Sequence, residues 1–143
     1  MIPVKVYETA LFETIRRGAT ELSPDVRDAF VQAIARESNP DAKKGLEATL
    51  ASMDRSAERG NPLCVDTGWP IFYFKVGNEC QLEGGFVELE NAARRAVEKA
   101  TKLGYLRATM KHPLTGYDPG NNIGMNIPDF TYRFTDGDAI ELS

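Results

Sequence analysis

The run Ile71-Phe72-Tyr73-Phe74-Lys75-Val76, opened by Pro70 and closed by Gly77-Asn78, constrains this chain more than any other stretch. It is too short for a helix, rich in aromatic and branched residues, and almost unbroken in apolar character. Such a run reads as a central strand buried on both faces, with Lys75 the exception. A strand of that kind needs amphipathic elements to cover it, and the flanking sequence supplies helices.

Val4, Tyr7, Leu11 and Ile15 recur at helical spacing, and Gly18 is expected to stop that first helix. Ser23-Pro24-Asp25 is a helix start: a capping hydroxyl, a proline suited to the first helical position, and a carboxylate at the positive end of the dipole. Val26, Phe30, Ala33 and Ile34 form its stripe. Asn39-Pro40-Asp41 repeats the device and opens a third helix with Ala42, Leu46, Thr49, Leu50, Met53 and Ala57 on one side, ending near Gly60. Gly45 inside it costs about 1 kcal/mol relative to alanine. The short connections make residues 1–60 an antiparallel helical layer. Its mixed charges, such as Asp54, Arg55, Glu58 and Arg59, read as a solvated face.

Beyond the strand, Gly84-Gly85 leads into a long helix with Phe86, Leu89, Ala93, Ala96, Val97, Ala100 and Leu103 on one side and a C-terminal stop at Gly104. Tyr105–Thr109 is a short strand candidate. Phe130–Phe134, the turn Asp136-Gly137 and Ala139–Leu142 read as a β-hairpin. The expected class is α+β: an N-terminal helical layer on a small mixed sheet, with one further long helix. Residues 1–143 then form one domain, with the layer at 1–60 and a strand–helix–loop–hairpin portion at 61–143.

Composition excludes several classes. With 143 residues, 42% hydrophobic and a formal charge of −4, the chain can bury a sizeable core and offers no basic block for nucleic acid. No apolar run approaches membrane-spanning length, and Met1-Ile2-Pro3-Val4-Lys5 carries no signal-peptide pattern, so a cytoplasmic location and no membrane partner are expected. Two cysteines and one histidine make a disulfide framework or a self-contained zinc site a poor fit.

Two places carry chemistry. Asn61–Gly68 presents Cys64 and, at i+2, Asp66 on a tight turn leading into the central strand. Taken alone, Cys64 could be a buried small hydrophobe, a nucleophile using His112 as base with Asn121 or Asn122 orienting it, or a metal ligand short of partners. Cys80, in a turn, reads as structural. The second place is the aperiodic stretch 111–128, long enough to need a reason in a compact domain. Arg107 can grip a carboxylate bidentately, Lys111 and His112 add positive charge, and Thr115, Asn121 and Asn122 add donors. The competing view is that the asparagines hold turns and Lys111 is solvated. Gly84-Gly85 lacks the spacing of a nucleotide fingerprint.

Pro62-Leu63-Cys64-Val65-Asp66-Thr67-Gly68 resembles the Pro-x-Cys-x-Asp-Thr-Gly motif of the iron–sulfur hydro-lyases, namely class I fumarate hydratases and L(+)-tartrate dehydratase alpha subunits. Leu106-Arg107, His112-Pro113-Leu114-Thr115, Asn121-Asn122-Ile123-Gly124 and Pro128 extend the resemblance, which is closest to the tartrate-dehydratase-like branch. It implies that Cys64 is one of three thiolates holding a four-iron four-sulfur (4Fe-4S) cluster whose open iron is a Lewis acid. It implies that Asp66 positions the hydroxyl or water, that Arg107 binds a substrate carboxylate, and that His112 and Asn122 neighbour the substrate. Val65 stands where many class I fumarases carry glutamine.

In that family the other two cluster cysteines lie beyond position 143, and Cys80 matches neither. The base that takes the carbon-bound proton resembles a residue of a beta subunit or C-terminal domain. The chain is therefore expected to be the N-terminal half of an alpha subunit, as a fragment or a naturally short form whose last strand continues further. It should lack hydratase activity alone and should associate, with itself and with a beta-type partner. The intact enzyme would hydrate or dehydrate a C4 dicarboxylate, fumarate/malate or tartrate/oxaloacetate. The alternative is a non-catalytic carboxylate-binding or assembly domain without a cluster.

Overall fold

The computed structural model describes residues 1–64 and 68–143. Its elements are α1 (Val4–Thr20), α2 (Pro24–Arg36), α3 (Pro40–Glu58), β1 (Ile71–Gly77), α4 (Gly85–Lys102), β2 (Asp129–Thr135) and β3 (Ile140–Leu142). The fold is α+β, with helices on a small three-stranded mixed sheet. Among the described residues no helix is long and apolar enough to cross a membrane.

The core lies where α1 and α4 cross the inner face of β1. Tyr7, Leu11 and Ile15 meet Leu89, Ala92, Ala93, Ala96, Val97 and Ala100, with Phe72, Phe74 and Val76 beneath. The alanines of α4 let α1 approach closely. Full burial of side chains such as Leu11 or Phe72 contributes roughly 1.5–3 kcal/mol each. Pro3 offers α1 no side-chain cap, and the Glu83 carboxylate takes that role by accepting from the Val4 N–H at 2.9 Å. Tyr7 Oη donates to the Glu83 carbonyl at 2.7 Å, so the turn before α4 is fastened to α1 twice.

Local start signals work largely as expected. The Asn39 carboxamide oxygen accepts from the N–H groups of Asp41 (2.9 Å) and Ala42 (3.3 Å). Ser23 occupies the N-cap of α2 without a side-chain bond to the helix backbone. Its hydroxyl engages Asp25 instead, the main cause that holds that carboxyl below its usual range. Gly18 does not end α1, which runs on to Thr20, where the hydroxyl donates to Arg16 O at 2.8 Å. Within the helical layer only α1 enters the core. Neither α2 nor α3 has a buried residue, and their main packing partner is each other, with an Arg27–Asp54 ion pair at 2.9 Å.

Three sequence expectations are corrected by the sheet. The segment Phe130–Leu142 is not a hairpin, because β1 lies between its two strands in the order β2-β1-β3. β2 runs parallel to β1 from Ile71↔Asp129 to Gly77↔Thr135, and β3 runs antiparallel to it. The intervening turn crosses the end of β1, where a side chain at Gly77 would collide with the Gly137 backbone. Residues 105–110 form no strand. Finally, β1 alternates: Phe72, Phe74 and Val76 are buried, while Ile71 (51%) and Tyr73 (54%) stay exposed. Two-sided burial fails because helices cover one face only.

Candidate functional site

The chain that leads into Cys64 is fixed by the ends of two helices. Gly60, in the left-handed region at φ 64°, releases the chain from α3. The Asn61 N–H then bonds to Ser56 O (2.9 Å) and the Leu63 N–H to Ala19 O (2.9 Å), which ties the turn to the end of α1. Cys64 is exposed and is not in a disulfide. Asp66 falls outside the described residues. The chain re-emerges at Gly68, buried and followed by the exposed Trp69.

Gly68 rests directly on the segment that carries Arg107. A methyl group there would stand 2.5 Å from the Arg107 carbonyl oxygen and closer still to the Thr109 hydroxyl. Arg107 itself is exposed. Its backbone is gripped by Asn122, which is 1% exposed and adopts φ 56°. Nδ2 of Asn122 donates to Arg107 O (2.9 Å) and to Thr101 Oγ1 (3.1 Å), and Oδ1 accepts from the Thr109 N–H (3.1 Å). Asn121 closes a local turn, its Oδ1 accepting from the Ile123 N–H at 3.1 Å. The turn-holding view of the two asparagines thus has direct contacts behind it.

His112 lies in a separate turn. Its Nδ1 accepts from the N–H groups of Leu114 (3.3 Å) and Thr115 (3.2 Å), so the neutral ring carries its proton on Nε2. The Thr115 hydroxyl accepts from the Tyr117 N–H at 3.4 Å.

The structure therefore joins Gly68, Arg107 and Asn122, and holds His112 in its own loop. Cys80 is at the other end of β1 from Cys64, half-buried and packed against the core. Seven strand residues separate the two ends, about 23 Å at strand rise. Among the described residues no three His, Cys, Asp or Glu side chains converge on a possible ion position. A cluster held by three thiolates would find one of them here, on an exposed turn, and Cys80 is too distant to be a second. The residues present fit one ligand of a larger set.

Sequence reasoning missed two features. Thr101 and Thr109 complete the bonding around Asn122, and no local signal marks them. An open groove of about 440 Å³ beside the turn is lined by Ile15, Ala19, Trp69, Pro70, Phe72 and Leu106 among others. Trp69 is 62% exposed on its rim. Among the described residues its wall is mainly apolar, with Thr14 and Ser143 the polar side chains.

Comparison with known proteins is consistent along the chain. The model of a family described as fumarate hydratase (Fumerase) matches residues 8–143. A Methanocaldococcus jannaschii protein named "Putative L(+)-tartrate dehydratase subunit alpha" is 32% identical over 122 residues, 85% of this chain and 42% of that protein. "Putative fumarate hydratase class I" of Geobacillus stearothermophilus is 29% identical over 139 residues, covering 96% of this chain and 26% of its own. The L(+)-tartrate dehydratase subunit alpha of Escherichia coli is 30% identical over 125 residues, 87% of this chain and 40% of that subunit. This chain spans less than half the length of each relative. It belongs to the fumarate hydratase (Fumerase) family.

Proposed function

We propose that this chain is part of an iron–sulfur hydro-lyase of the tartrate dehydratase or fumarate hydratase type. The intact enzyme reversibly adds or removes water across a C4 dicarboxylate, with a beta-type subunit or second domain completing the site. The observation that most supports this is the contact of Gly68 with the Arg107 backbone. It places the last glycine of the Pro-x-Cys-x-Asp-Thr-Gly motif against the segment bearing Arg107, within a chain whose family match runs from residue 8 to 143.

In this reading Cys64 provides one thiolate to a 4Fe-4S cluster, and the cluster, when bound, supplies a Lewis-acidic iron. Arg107 takes a substrate carboxylate in a bidentate, charge-assisted pair, which fixes both position and orientation of the dicarboxylate. Asp66 holds the hydroxyl or the incoming water. Hydration places that hydroxyl on one alkene carbon and a proton on the other. The group exchanging the carbon-bound proton comes from the partner, so this chain recognises substrate and holds oxygen without completing the reaction.

The test is Cys64→Ser in the complete subunit purified with its partner. Iron content and cluster absorbance should fall away while circular dichroism stays unchanged. Iron content equal to the unmodified enzyme would remove the cluster role and leave a carboxylate-binding or assembly domain. Calorimetry with fumarate, malate and tartrate would then examine that role. Residues 1–143 alone, treated with iron and sulfide, should show no turnover.

A further inference from the structure

The side chain of Asn122 is 1% exposed and has no N–H left to offer a ligand. Both N–H groups of Nδ2 have protein acceptors, Arg107 O and Thr101 Oγ1, and Oδ1 has the Thr109 N–H. Thr101 is in the last turn of α4, where its own hydroxyl donates to Val97 O at 2.8 Å. The amide therefore links the long helix to the Arg107 carbonyl and to the Thr109 N–H. Residues 105–110 have no sheet ladder to hold them, so this link stands in place of one. On the other side, Gly68 meets the same carbonyl with no Cβ between the backbones.

We infer that Asn122 and Gly68 are positioning residues: Asn122 fixes the Arg107 backbone to α4, and Gly68, lacking a Cβ, lets the backbone that follows the motif lie against it. The inference rests on the proposed role of Arg107 in binding carboxylate. Asn122 acts through Arg107 and does not touch substrate. Its φ of 56° is a conformation asparagine and glycine tolerate, so Asn122→Gly removes the amide while sparing the backbone. Gly68→Ala removes no hydrogen bond and separates the two segments by bulk alone.

Both variants are made in the complete subunit with its partner, beside Arg107→Ala and the Asn122→Gly/Arg107→Ala pair. For the dicarboxylate the unmodified enzyme turns over, Asn122→Gly and Gly68→Ala should each raise KM about tenfold and change kcat less than about threefold. Iron content should not change. The double variant should be no worse than Arg107→Ala alone, because Asn122 has nothing left to position. Amide exchange at Thr109 should accelerate in Asn122→Gly and stay unchanged across the core stretches of α1 and α4. Additive losses in the double variant would mean direct contact and overturn the inference. So would an unchanged KM, or Thr109 exchange insensitive to Asn122→Gly. If Arg107→Ala itself leaves KM unaltered, the assigned role of Arg107 fails, and Thr109 exchange still decides whether Asn122 holds the segment.

Discussion

At His112 the imidazole performs a backbone task. Nδ1 accepts two N–H groups, from Leu114 and Thr115, that the turn would otherwise leave to water. The Oδ1 of an asparagine falls near the position of Nδ1, whereas glutamine imitates Nε2. His112→Asn should therefore preserve slow amide exchange at Leu114 and Thr115, and His112→Gln should lose roughly 0.5–1.5 kcal/mol of local protection. Equal exchange in both variants would show that the turn does not depend on this ring. The residue types were readable in the sequence at Cys64, Arg107, His112 and Asn122. What each side chain touches was not, because the partners of Asn122 lie 13 to 21 positions away.

Between elements, the seam of α1 and α4 is the most specific joint. Arg95 reaches Glu8 at 3.1 Å and Glu88 at 2.9 Å, and Lys99 sits 4.1 Å above the Phe12 ring. The hydrogen bond from Arg95 holds the Glu8 carboxyl below its usual range, against the opposing effect of burial. A carboxyl depressed in the folded state stabilises above its unfolded pKa, and that contribution is lost as pH falls through the folded value. Both side chains are well exposed, at 45% and 39%, so solvent screening keeps the pair within about 0.2–1 kcal/mol. Glu8→Gln should weaken the chain by that amount in urea unfolding at about pH 7, and the difference should vanish near pH 2. A difference that survives acid would exclude the ion pair as its cause. Helix positions were legible because caps such as Asn39 and stops such as Gly104 act locally. Burial was not: the stripes of α2 and α3 are as amphipathic as that of α1, and nothing within a helix says which stripe finds a core. The tail misled for a related reason, since Asp136-Gly137 marks a turn equally well whether its strands pair with each other or flank a third.

For the molecule as a whole, the apolar run Ile71–Val76 suits two covered faces, and the described residues cover one. Ile71 and Tyr73 stand on the outer side of β1 beside the Lys75–Glu141 ion pair (3.0 Å), and among the described residues β2 and β3 are the edge strands. Trp69 extends that apolar surface into the groove at the end of α1. Relatives of the tartrate dehydratase type carry more than half of their length outside the matched stretch. Apolar area left in water favours burial by about 25 cal/mol per Å², and a second copy is the nearest source of matching surface. Residues 1–143 should therefore associate with rising concentration in sedimentation velocity. Ile71→Glu should shift that equilibrium towards monomer without lowering the unfolding midpoint, because the side chain is already half in water. Association that ignores Ile71→Glu would assign self-contact to the strand edges or to the α2–α3 pair. Monomeric behaviour throughout would mean that Lys75, Arg133 and Glu141 keep this face wet despite its aromatic and branched neighbours.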